Sequence, residues 1–115
     1  MLKRQTKKCT ATFILLAFLV FFPLVAVSSS VTGVVVLEDT PGCDHFVVET
    51  SGGYSLLEWY GGVVTIWEGD KVFGEIHSYG FKDIYIDGRG EMRVWVEDYW
   101  VSDRDALEYF HSNCR

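Results

Sequence analysis

The stretch Lys71–Trp100, KVFGEIHSYGFKDIYIDGRGEMRVWVEDYW, decides the fold. Apolar and polar residues alternate along it, and glycines interrupt it at short intervals. Successive side chains of a strand point to opposite faces. Val72, Gly74 and Ile76 therefore share one face, and Phe73, Glu75 and His77 the other. Ile84 and Ile86 point one way, with Asp83, Tyr85 and Asp87 opposed; GRG then turns the chain. Beyond it, Met92, Val94 and Val96 face inward, and Arg93, Trp95 and Glu97 outward. A period of two over short segments bounded by glycine predicts antiparallel strands with one buried face.

The same signal continues upstream. VTGVVVLED, from Val31 to Asp39, is a β-branched strand stopped by Pro41 and Gly42. HFVVETSGGYSLLEWY reads as two strands hinged at Gly52 and Gly53, and GGVVTIWEGD holds a further short one. Downstream the pattern changes. In SDRDALEYFHSNC, Ser102 precedes Asp105 by three residues, close to a capping box, and Asp103 and Asp105 suit the first turn of a helix. Ala106, Leu107 and Phe110 are expected to face the sheet. The fold class is mainly β: a small antiparallel barrel, OB-like or SH3-like, of about six short strands with one C-terminal helix. Gly33, Gly74, Gly80 and Gly90 suit sharp bends at barrel corners.

Gly69, Asp70, Val72 and Gly74 spell GD-x-V-x-G, and Gly80 follows at the next bend. This resembles the hairpin of small exported OB-like and SH3-like β-barrel domains. The resemblance covers about 20 residues, Glu68–Ile86. It implies a barrel wall and brings neither ligand nor cofactor with it.

The first 28 residues belong to a different class of sequence. Lys3, Arg4, Lys7 and Lys8 open the chain, the uncharged run from Ala11 to Val27 follows, and serines close it. That is the layout of a signal peptide. The 17-residue run spans roughly 25 Å as a helix, against ~30 Å of bilayer hydrocarbon. Residues 1–28 are thus expected to be a signal peptide, with an uncleaved anchor as the alternative, and 29–115 a single domain outside the cytoplasm.

Charge and cysteines follow from that division. Four of the 10 Lys and Arg precede Ser28, and none of the 16 acids do, so the remainder carries six bases against 16 acids, a net of −10. Nucleic-acid affinity depends on Lys and Arg neutralising phosphates, so nucleic acid is excluded as a partner. Anionic membrane surfaces are disfavoured equally, and a membrane enters only if the first segment is retained. Cationic partners remain open. Of three cysteines, Cys9 lies in the leading segment, which leaves Cys43 and Cys114 to pair in an oxidising compartment.

Phe73, His77, Tyr85 and Trp95 form the candidate ligand-binding face, since all fall on the outer side of their segments. Rings side by side on such a barrel stack bases or sugars, and the negative charge leaves a glycan, a peptide or another apolar-faced ligand. The competing arrangement, and the expected one, has the helix covering these rings as a second small core, because a helix must pack on something. Glu97, Asp98, Asp103 and Asp105 form an acidic group that could serve acid–base chemistry or calcium, without the spacing of either. His45, His77 and His111 are far apart, and no G-x-S-x-G, H-E-x-x-H or phosphate loop is present. No catalytic residue, metal or cofactor is assigned. The chain therefore reads as an exported non-catalytic binding domain for an unknown protein or a small ligand such as a glycan. Its alternatives are a membrane-anchored accessory protein and a small carboxylate- or metal-dependent hydrolase.

Overall fold

The computed structural model describes residues 30–114; the expected signal segment and Cys9 lie outside the described residues. Six strands close a barrel: β1 (Val31–Leu37), β2 (His45–Thr50), β3 (Gly53–Gly62), β4 (Lys71–Gly74), β5 (Gly80–Ile86) and β6 (Gly90–Val101). The order around the wall is β1-β2-β3-β6-β5-β4, with β4 returning to β1, and every neighbouring pair is antiparallel. Among the described residues a single helix, α1 (Asp103–Cys114), follows. No helix among the described residues is long and apolar enough to cross a membrane.

The alternation in Lys71–Trp100 is realised residue by residue. Val72, Ile76, Ile84, Ile86, Met92, Val94 and Val96 are all buried in the barrel interior, joined by Val35, Phe46, Val48, Leu57 and Ile66. Gly74 shows why the wall closes here: a Cβ at this position would come within 2.6 Å of Ile84 Cγ2 on the neighbouring β5. Its lack of a side chain permits the close approach.

Two segments depart from expectation. The residues 63–67 form no strand. Thr40 engages this segment instead of a ladder partner: its hydroxyl donates to the Ile66 carbonyl at 2.9 Å and accepts from the Ile66 amide at 3.0 Å. Ile66 still enters the core, so an apolar residue is buried without sheet pairing. The alternation also outlasts β4, which ends at Gly74, although Ile76 remains fully buried in the loop beyond.

The helix begins as its sequence dictates. The Asp105 amide donates to Ser102 Oγ at 3.2 Å, an N-cap bond that satisfies an otherwise orphaned donor. Ala106 and Phe110 are buried against Val47 of β2 and Leu56 of β3, forming a second core on the outside of the barrel. Leu107, expected to face the sheet, is 45% exposed. It lies about 100° round the helix from Ala106, outside the narrow stripe that Ala106 and Phe110 define. Cys43 and Cys114 form a disulfide with Cα atoms 5.5 Å apart, tying the end of α1 to the β1–β2 loop. The bond is compatible with an oxidising compartment.

Candidate functional site

The helix does not cover the candidate face. It packs on β2 and β3, whereas the seam between β4 and β5 lies on the far side of the strand order. The expected second core beneath α1 therefore consists of other residues: Val47, Leu56, Ala106 and Phe110, flanked by Tyr54 and Tyr109.

The four candidate rings separate into three groups. Phe73 and Tyr85 oppose one another across β4 and β5, with centroids 6.4 Å apart and planes tilted by 34°. Trp95 opposes Phe81 instead, edge to face at 4.8 Å, and Tyr60 of β3 meets Phe81 at 4.9 Å. Between these two groups lies the Asp83–Arg93 ion pair at 3.2 Å. Phe81 and Tyr85 stand four positions apart on β5, roughly 13 Å of strand. Arg93 also lies over the Phe81 ring, 5.9 Å from its centroid. The rings on this wall stay open to solvent: Tyr60, Phe81 and Tyr85 are exposed, and Phe73 and Trp95 are half-buried.

His77 belongs to neither wall group. It sits at one end of the barrel, in the loop between β4 and β5, against the β2–β3 turn and the end of β6. The Trp100 indole N–H donates to His77 Nδ1 at 3.1 Å, and Nε2 lies 2.9 Å from Thr50 Oγ1. An indole nitrogen only donates, so Nδ1 must accept and Nε2 carries the hydrogen. His77 therefore donates to Thr50, whose hydroxyl donates in turn to the Gly53 carbonyl at 2.8 Å. Burial lowers the His77 pKa, in keeping with a neutral ring in this chain of bonds.

Around His77 stand Tyr79, Tyr99 and Trp100. Tyr99 meets Tyr79 at 4.9 Å and Trp100 at 5.2 Å. Tyr79 and Trp100 are about 60% exposed, at 62% and 60%. Asp98 joins them: its Oδ1 accepts from the Tyr99 amide at 2.8 Å and from the Tyr79 hydroxyl at 3.3 Å. The nearby carboxylate raises the Tyr79 pKa. A bulge in the β3–β6 ladder makes this arrangement, with Tyr54 opposite Val101 but Leu56 opposite Asp98. Trp100 takes up the extra residue in the left-handed region, φ 57°.

The remaining candidates are dispersed. His45 Nδ1 lies 2.7 Å from the Tyr109 hydroxyl under α1, and His111 is exposed in the last turn of the helix. Glu97, Asp103 and Asp105 are exposed, with the last two in the first turn of α1; Asp98 is engaged as described. Among the described residues no three His, Cys, Asp or Glu side chains group closely enough to hold a metal ion. A cleft lined by Pro41, Phe46, Trp59, Ile66 and Met92 holds ≈ 100 Å³. That is well below the ~300 Å³ at which small-molecule pockets begin, whereas the open depression lined by Gly74, Glu75, Phe81, Lys82 and Asp83 reaches ≈ 420 Å³.

Neither the wall group around Phe81 nor the end group around Trp100 was singled out from sequence. The signal for the first was present. The strands pair about the Asp87–Arg89 turn with Ile86 opposite Gly90, and counting back from that turn sets Phe81 against Trp95. The bulge that makes the second group leaves no comparable trace. No protein-family model, curated protein or solved structure matches the chain.

Proposed function

We propose that this is an exported, non-catalytic binding domain that engages a protein or a small ligand such as a glycan through its exposed aromatic rings. One observation carries this reading. Helix α1 takes the apolar outer face of β2 and β3, while Tyr60, Phe81 and Tyr85 stay in solvent elsewhere on the wall. Large rings concentrated outside a core are the usual anchors of recognition surfaces. Export is supported by the basic, apolar and small-residue succession of the first 28 residues and by the Cys43–Cys114 bond.

Equilibrium binding of the native protein to cell-envelope glycans, beside co-purification of partners from its source, tests the binding role. Saturable binding in either assay, weakened by Phe81→Ala or Tyr85→Ala, is the expected result. No binding in both, or binding indifferent to these variants and to the Trp100 group, would count against it. Mass spectrometry of the native N-terminus tests export: a start near Ser29 is expected, and an intact Met1 would favour the anchored accessory protein.

A further inference from the structure

We propose that the Tyr79–Tyr99–Trp100 group, with the Asp98 carboxylate beside it, docks a Lys or Arg side chain of a basic protein partner. This rests on the reading of the domain as a binding module and names the chemistry of what it binds.

The molecule shows how its own cations use aromatic faces. Arg89 lies over the exposed Trp67 ring, 4.4 Å from its centroid, and its Nε is 2.6 Å from Asp70 Oδ2. Arg93 lies over Phe81 and pairs with Asp83. Each site combines a ring, a carboxylate and a guanidinium. The end of the barrel repeats the first two parts: exposed Tyr79 and Trp100 rings next to Asp98. Among the described residues no Lys or Arg is placed over these rings or paired with Asp98.

Acids outnumber bases around it. The turn, loop and strand end that build it, residues 49–55, 74–81 and 97–103, contain Glu49, Glu75, Glu97, Asp98 and Asp103 and no Lys or Arg; Lys82 and Arg104 are the next residues along the chain. An incoming cation meets no like-charged Lys or Arg from these segments. A ring face attracts a cation through its quadrupole, and a neighbouring carboxylate adds to that attraction. The neutral His77 beneath the group donates its only N–H to Thr50 and so adds no positive charge.

The backbone supports the same assignment. Trp100 is a bulky residue held at φ 57°, a conformation that costs an L-residue on the order of 1–2 kcal/mol. That conformation places the indole against Gly52, where a Cβ would come within 2.9 Å of Trp100 Nε1. A large ring kept in solvent by an unfavourable backbone is a feature that concentrates at binding sites.

Titration calorimetry of the native disulfide-bonded protein with a nona-arginine peptide tests the proposal, with a nona-glutamate peptide and a neutral N-acetylglucosamine tetramer as comparisons. The arginine peptide is expected to bind, and the glutamate peptide not to bind. Tyr79→Leu and Asp98→Asn should each weaken binding by about tenfold, in the range of one cation–π or charge contact. Asn keeps an acceptor for the Tyr99 amide and removes only the charge. Tyr79 lies in an exposed loop, so both variants should retain the parent's dichroism. Trp67→Leu, whose ring already carries Arg89, should leave affinity within about twofold, because its cation is supplied internally. Arginine-peptide binding unchanged by Tyr79→Leu and Asp98→Asn would overturn the inference. If only the neutral sugar binds, the inference fails and the binding-module reading stands. If no probe binds and no partner co-purifies, both fail.

Discussion

Trp100 and His77 form a unit whose stability depends on one proton. The indole donates to Nδ1, and the Nε2 hydrogen is committed to Thr50. A second ring proton at Nδ1 would face the indole N–H, donor against donor. Tyr99 stacks on the ring at 6.3 Å, and Thr50 and Trp100 carry no charge that would stabilise an imidazolium. The folded-state pKa of His77 lies below its ordinary value because of burial, so the unfolded chain takes up this proton first as pH falls. The contribution is fully present above about pH 6.5 and is lost as pH drops below that toward the folded value. Chemical denaturation of the native protein at pH 7.5 and pH 5 should show lower stability at pH 5. His77→Gln, whose amide can accept from the indole and donate to Thr50 without titrating, should flatten that difference. An unchanged pH dependence in His77→Gln would rule His77 out as its source. None of this was legible in the sequence, where His77 reads as one outward ring of the candidate ligand-binding face. Its partners Thr50 and Trp100 lie 27 and 23 residues away and meet it only through the barrel closure and the bulge.

At the scale of elements, periodicity was the reliable signal and connection the hidden one. The inward faces of β4, β5 and β6 follow directly from period-two alternation, and the N-cap of α1 follows from Ser102. The docking of α1 does not. HFVVET and YSLLEW read only as two strands of a hairpin; Val47 and Leu56, apolar neighbours of inward residues, do not name what covers their outer side. Residues 63–67 mislead for the opposite reason: they have strand composition, but Thr40 takes the Ile66 groups that a ladder would use. The helix interface yields a direct comparison. Phe110→Ala removes a fully buried ring and should cost about 3–5 kcal/mol, whereas Leu107→Ala should stay within about 0.5 kcal/mol. Denaturation midpoints of the two variants at constant slope check this. Equal losses would mean that α1 seats on the barrel by another face.

For the whole molecule, the Cys43–Cys114 bond closes a sequence separation of 71 residues around most of the barrel and the helix. A closure of that length should stabilise the fold by about 4 kcal/mol, chiefly by restricting the unfolded chain. A domain of this size buries only about 60–65% of its unfolded surface, so such a term is a large share of its net stability. Guanidinium denaturation with and without reductant measures it, and coincident curves would show that the bond contributes little. The pairing itself was readable from the cysteine count; its geometric consequence was not. Strand β1 lies before Cys43, outside the covalent loop, yet it supplies both the β1–β2 and β1–β4 pairings that shut the barrel. A force applied between residue 30 and the end of α1 would therefore act on β1 alone. The strand would unzip, tension would pass through the sulfur bridge, and the remaining strands would bear no load. Extension should halt after about 40 Å, the contour of the residues ahead of Cys43, and continue only once a reductant opens the bridge.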